Sequence, residues 1–224
     1  MKPFLTHLPL PRDQPYDYAL LTDRLHGYGA VRDKITRLLA SGEVVRVKKG
    51  LYVPGGAVAL RQVDPLVLSG MVSGPSCVSF EKALELHGLI PERVVEITCA
   101  TTQRRREFLT PVGRFSYRPV PLTVFGAGVE RREAAGGHYF LATPERALCD
   151  CAGRHSGLQR LTDVEPWLRE NLRITSEPLG LLNPASITEL SQLYRRHPVT
   201  LLARWLAKIA PRMHHQLPSP ITNN

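Results

Sequence analysis

Apolar residues recur at Val31, Ile35, Leu38 and Leu39, the i, i+4, i+7, i+8 spacing of one helical face. Asp33, Thr36 and Arg37 occupy the opposite side, with Arg32 and Lys34 on its flanks. Ser41-Gly42 follows as a stop signal, because glycine takes the left-handed conformation that closes a helix. The period then changes to two. Residues 43–47 alternate, with Val45 and Val47 on one side and Val44 and Arg46 on the other, and Leu51-Tyr52-Val53 supplies a returning strand. Lys48-Lys49-Gly50 makes the turn between them, Gly50 providing the positive φ. Upstream, Asp17 is an N-cap for a helix whose stripe of Tyr18, Leu21 and Leu25 is the natural partner of Val31, Ile35 and Leu38; Gly27 and Gly29 break the two helices apart.

Helix, helix and hairpin in that order predict a winged helix-turn-helix domain over residues 1–62, entered by a proline-punctuated arm in residues 1–15. The remainder reads as a larger α+β domain, residues 63–210, with a helical C-terminal part and a frayed tail at 211–224. Ser79 caps a helix carrying Phe80, Ala83, Leu84 and His87 on one face and ended by Gly88. Residues 94–98 alternate as a strand, residues 108–110 and 114–117 form a hairpin around Pro111-Val112-Gly113, and residues 138–141 form a further strand. Thr143-Pro144-Glu145 opens a helix with its cap, its N1 proline and an acid at the positive end of the dipole. Thr162 with Glu165 has capping-box spacing, Asn183-Pro184 starts a helix bearing Ile187, Leu190, Leu193 and Tyr194, and residues 199–209 continue with Leu202, Trp205, Leu206 and Ile209 on one face.

Charge then gives the pattern a direction. The 224 residues carry a formal net charge of +9, which favours an anionic partner. Residues 1–62 hold ten Lys and Arg against five acids, so over half of the excess sits in little more than a quarter of the chain. Arg32, Asp33, Lys34, Thr36 and Arg37 are therefore expected to face a DNA major groove, where arginine reads guanine, an acid accepts from cytosine and a threonine methyl meets thymine. Arg46, Lys48 and Lys49 are expected to hold phosphate or enter the minor groove. Arg104, Arg105 and Arg106 form a second basic patch, which either extends that surface or docks an acidic partner; Arg195, Arg196, Arg204, Lys208 and Arg212 form another basic region.

Other chemistry finds little support. His87 reads as a core residue, Ser76 and Ser79 lack a nucleophile elbow, and Gly126-Ala127-Gly128 lacks the third glycine of a dinucleotide loop. Cys77, Cys99, Cys149 and Cys151 are too few and scattered for a disulfide framework, and Cys149-Asp150-Cys151 lacks a completing pair for a metal; they read as reduced, buried residues. No cofactor, metal site or enzymatic activity is expected. With no apolar run near 18 residues and no signal peptide, the expected location is the cytoplasm. Two alternatives remain open, a nucleic-acid enzyme such as a nuclease tethered to the winged helix, and a basic protein-interaction module.

Three stretches carry a family resemblance. RDKITRLLASGEVVRVKKGLYVP resembles the N-terminal winged-helix domain of the AbiE-type (AbiEi family) antitoxins of bacterial type IV toxin–antitoxin systems; PSCVSFEKALELHGLIPE, residues 75–92, resembles the start of that family's C-terminal domain; and ATPERALCD, residues 142–150, resembles its "A-x-PE-(K/R)-AL-x-D" segment. Cys77 stands where that pattern often has an aromatic residue, and Cys149 and Cys151 where it has aliphatic ones. The resemblance implies a transcriptional autorepressor that binds double-stranded operator DNA, as a homodimer or cooperatively, and whose C-terminal region counters a nucleotidyltransferase-type toxin encoded beside it.

Overall fold

A computed structural model of the chain describes residues 10, 12–56 and 63–213. Lys2 and most of the expected N-terminal arm, Arg61, the expected boundary at residue 62 and the tail from 214 lie outside the described residues. The architecture is mixed α+β, built around two sheets.

The first unit runs β1 (Tyr16–Asp17), α1 (Tyr18–Arg24), α2 (Val31–Ala40), β2 (Val44–Lys48) and β3 (Leu51–Pro54). Asp17 caps α1, accepting from the Leu20 N–H at 2.7 Å. Gly42 and Gly50 adopt φ of +72° and +84°, as the stop and turn positions require. The strands form an antiparallel sheet in the order β1-β3-β2, with Tyr16 opposite Tyr52, Val45 opposite Val53, and a bulge between Arg46 and Lys48. One face of this sheet, with Tyr16, Val44 and Tyr52, packs under Leu21, Leu25, Ile35 and Leu38 of the helices. The other face departs from the picture of a separate small domain. Val47, Leu51 and Val53 belong to the same buried cluster as the core of the rest of the chain, so the hairpin is covered on both sides.

The larger part contains α3 (Pro65–Val72), β4 (Ser76–Val78), α4 (Phe80–Leu86), β5 (Ile97–Thr101), β6 (Arg106–Thr110), β7 (Gly113–Pro119), α5 (Leu122–Phe125), β8 (Val129–Ala134), β9 (Gly137–Ala142) and α6 (Pro144–Ala152). The helical remainder is a 3-10 turn (Leu161–Asp163), α7 (Val164–Pro166), a π turn (Trp167–Asn171), α8 (Ser176–Gly180), α9 (Pro184–Tyr194) and α10 (His197–Met213). A six-stranded sheet runs β6-β7-β5-β4-β9-β8, antiparallel except for the β5–β7 and β4–β9 pairs. Among the described residues no helix is long and apolar enough to cross a membrane.

Several expected boundaries move. The strand expected at residues 94–98 is instead β5, three residues later, and Val95 is 82% exposed. All five residues of β5 are buried because it lies between β4 and β7 inside the sheet, so it shows no alternation for a period-two reading to find. The Thr162–Glu165 box does not form; Asp163 accepts the Arg160 and Gln159 N–H groups at 2.7 and 3.0 Å and fixes that turn two residues earlier. The helix expected to end at 209 continues to Met213, which removes residues 211–213 from the expected tail.

Candidate nucleic-acid interface

Ile35 and Leu38 anchor α2 by burial, and the helical period then fixes what faces outward: Arg32, Asp33, Thr36 and Arg37 are all exposed. Thr36 Oγ1 donates to the Arg32 carbonyl at 3.0 Å. Lys34 is only half exposed, and its ammonium lies 5.0 Å over the Tyr28 ring. On the hairpin Arg46 and Lys49 are exposed. Arg32, Arg37, Arg46 and Lys49 take part in no ion pair among the described residues.

Lys48 departs from the expectation that both turn lysines reach outward. Its Nζ donates to the Val72 carbonyl at the end of α3, 2.6 Å away, tying the hairpin to the larger part. Partial burial, and then repulsion from Arg106, lowers its pKa from the ordinary lysine value. The Arg106 influence also places the second basic patch near the hairpin. Within that patch Arg104, Arg105 and Arg106 are all exposed, and Arg105 pairs with Glu107 at 2.6 Å. Of the C-terminal basic region, Arg195, Arg196, Arg204 and Lys208 are exposed, while the Arg212 side chain lies outside the described residues.

The two sequence blocks at residues 75–92 and 142–150 meet in space. Ser79 does not cap α4; its hydroxyl donates to Asp150 Oδ2, because Asp150 lies directly across from the β4–α4 junction. Asp150 also accepts from Arg146 Nε at 2.8 Å and from the Tyr194 hydroxyl. The Arg146 guanidinium in turn donates to the Val124 carbonyl and, at 2.6 Å, to that of Ala127. Burial pushes the Asp150 carboxyl above the usual carboxylate range, with Arg146 and then Ser79 pulling it back. His87 Nε2 sits 2.8 Å from the Ala142 carbonyl, a second tie between the blocks. With Arg146 and Asp150 0% exposed at their side chains, this network is out of reach of any ligand and holds α4, α6, α9 and the α5–β8 connection together. The sequence signal for it is an arginine and an aspartate four apart on a helix that is otherwise apolar after Glu145 in its first turn. All four cysteines are buried as free thiols.

No protein-family model matches the chain, and no curated protein does. Among solved structures, the crystal structure of RV2827C protein from Mycobacterium tuberculosis is similar over 90% of this chain and 78% of that one, at 18% identity and a TM-score of 0.49. That likeness says nothing of function.

Proposed function

We propose that residues 16–54 are a winged helix whose α2 reads the DNA major groove, and that the chain is a cytoplasmic autorepressor of the type IV antitoxin kind. The observation that carries the reading is the set of four cations, Arg32, Arg37, Arg46 and Lys49, that α2 and the adjoining hairpin expose without any carboxylate partner among the described residues. Cations left unpaired on a helix wide enough for a groove, and on the strand pair following it, suit a polyanion. The strand–helix–helix–hairpin order, with β1 added to the hairpin, supports the winged-helix reading.

In this reading Arg32 and Arg37 contact base edges, Asp33 accepts from cytosine or steers Arg37, and Thr36 offers its methyl to thymine. Arg46 and Lys49 hold phosphate, Arg106 extends that track from the larger part, and Lys48 serves to position the hairpin. Opposition to a nucleotidyltransferase-type toxin is assigned to the larger part, on the resemblance of residues 75–92 and 142–150. Co-expression with the neighbouring gene tests that role: the chain restores growth to cells expressing a toxic neighbour, and failure to do so leaves a plain repressor. A gel-shift with the DNA upstream of its own gene tests repression, a specific complex being the expected result.

A further inference from the structure

Beyond the DNA face, the larger part has a cleft of about 450 Å³ that no part of the proposed function uses. Its walls come from five places in the chain: Glu81 on α4, Arg105 on the β5–β6 loop, Arg118 on β7, Arg154 and His155 just past α6, and Trp167 on the π turn. The volume falls within the range of small-molecule sites.

Its charge is unbalanced in a specific way. Glu81 holds Arg118 with both oxygens, at 2.7 and 3.0 Å, Glu96 lies 3.9 Å from its other terminal nitrogen, and Phe80 lies under that guanidinium 5.0 Å from it. Arg105 has Glu107. Arg154 has no hydrogen bond or ion pair from its guanidinium among the described residues. Desolvation, followed by repulsion from Arg118 and Arg105, lowers its pKa, and Glu81 offsets this only in part. Of the three guanidiniums lining the cleft, Arg154 is thus the one without a carboxylate of its own among the described residues, and a bound anion would supply that counter-charge. Phe80, whose φ is +56°, holds the wall in a conformation that L-residues avoid, and such positions gather at ligand sites. The His155 and Trp167 rings also line the cleft, 5.7 Å apart at a tilt of 32°, with Trp167 buried behind the half-exposed imidazole.

We infer that this cleft binds a phosphate ester of mononucleotide size, the phosphate on Arg105, Arg118 and Arg154 and the base against the His155 ring that Trp167 backs. Arginine's planar fork suits phosphate oxygens, and Arg118, already held by Glu81, has less side-chain freedom to lose on binding. The cleft is separate from the proposed reading helix, since α2 contributes no residue to it.

Isothermal titration of the full chain with AMP, ATP and inorganic pyrophosphate, each at physiological salt, tests the inference. Saturable binding of AMP or ATP is expected, weakened at least tenfold in Arg154→Gln and in Arg105→Gln, both exposed positions whose loss leaves the fold intact by circular dichroism. Arg93→Gln, an exposed arginine outside the cleft, leaves binding unchanged. Absence of saturable nucleotide binding, indifference to both cleft variants, or pyrophosphate binding as tightly as ATP would each overturn it. So would an effect of Arg154→Gln on DNA affinity alone, since the cleft would then be part of the DNA track.

Discussion

Arg146 and Asp150 place opposite charges where water does not reach, and the value of such a pair depends on which half is removed. Asp150→Ala leaves a guanidinium buried with only carbonyls for company; the expected loss is roughly 3–5 kcal/mol in urea unfolding. Replacing both, Arg146→Met with Asp150→Leu, is expected to cost well under the sum of the single changes, because the desolvation penalty leaves with the charges. Arg146 Nη2 already lacks a partner among the described residues, which lowers the cost of the apolar exchange. Tyr16 offers a pH-dependent counterpart. Burial first, and repulsion from Asp13 second, push its phenol up to about 12 against an opposing pull from Arg12. A raised pKa in the folded state means that its contribution is complete below the unfolded value near 10 and is lost as pH rises through about 12. Tyr16→Phe is therefore expected to show a shallower loss of stability between pH 10 and 12 than the parent, measured by thermal melts across that window.

At the scale of elements, what the sequence makes legible is whatever is governed by neighbours along the chain. The α2 face, the Asp17, Thr143 and Asn183 caps, the Gly42 stop and the Gly50 turn are all local, and the structure has them in place. What was not legible depends on partners distant in sequence. β4 is three residues long and becomes a strand only because β5 and β9 flank it, and β8, with the polar sequence VERREA, is an edge strand paired on one side by β9. Lys48 reads as a free turn lysine until α3 brings the Val72 carbonyl to it. Of the cleft only Arg105 stood out, because Arg118 and Arg154 come from elements with no periodic relation. Gly55 makes the same point through backbone contact. A Cβ there would lie 1.7 Å from the Gly42 carbonyl oxygen, and its N–H donates to the Glu43 carbonyl at 2.8 Å. Gly55→Ala is expected to cost more than about 2 kcal/mol, whereas Gly42→Ala, with φ of +72° and open space around it, costs about 1 kcal/mol. Urea titrations of the two variants side by side check the order.

The molecule as a whole is tied together through the hairpin. Val47, Leu51 and Val53 look into the larger core while Val44 and Tyr52 look into the smaller, so cutting the chain after residue 62 would strip apolar surface from one side of the sheet. Residues 1–62 alone are expected to give no cooperative melt, and the full chain a single one; a sharp transition in the fragment would show that the smaller core suffices. The same coupling ties the hairpin of the proposed DNA surface to the larger part, through the Lys48 ammonium on the Val72 carbonyl. The most direct test of that surface is fluorescence anisotropy at physiological salt with a labelled duplex from upstream of the gene and a scrambled duplex of equal length, each titrated with parent and Arg37→Ala protein. The proposed function predicts at least about a thousandfold preference of the parent for the upstream duplex. It predicts that Arg37→Ala gives up roughly 1–3 kcal/mol of that discrimination. Equal affinity of the parent for both duplexes, or discrimination untouched in Arg37→Ala, would contradict the assignment of α2 as the reading helix.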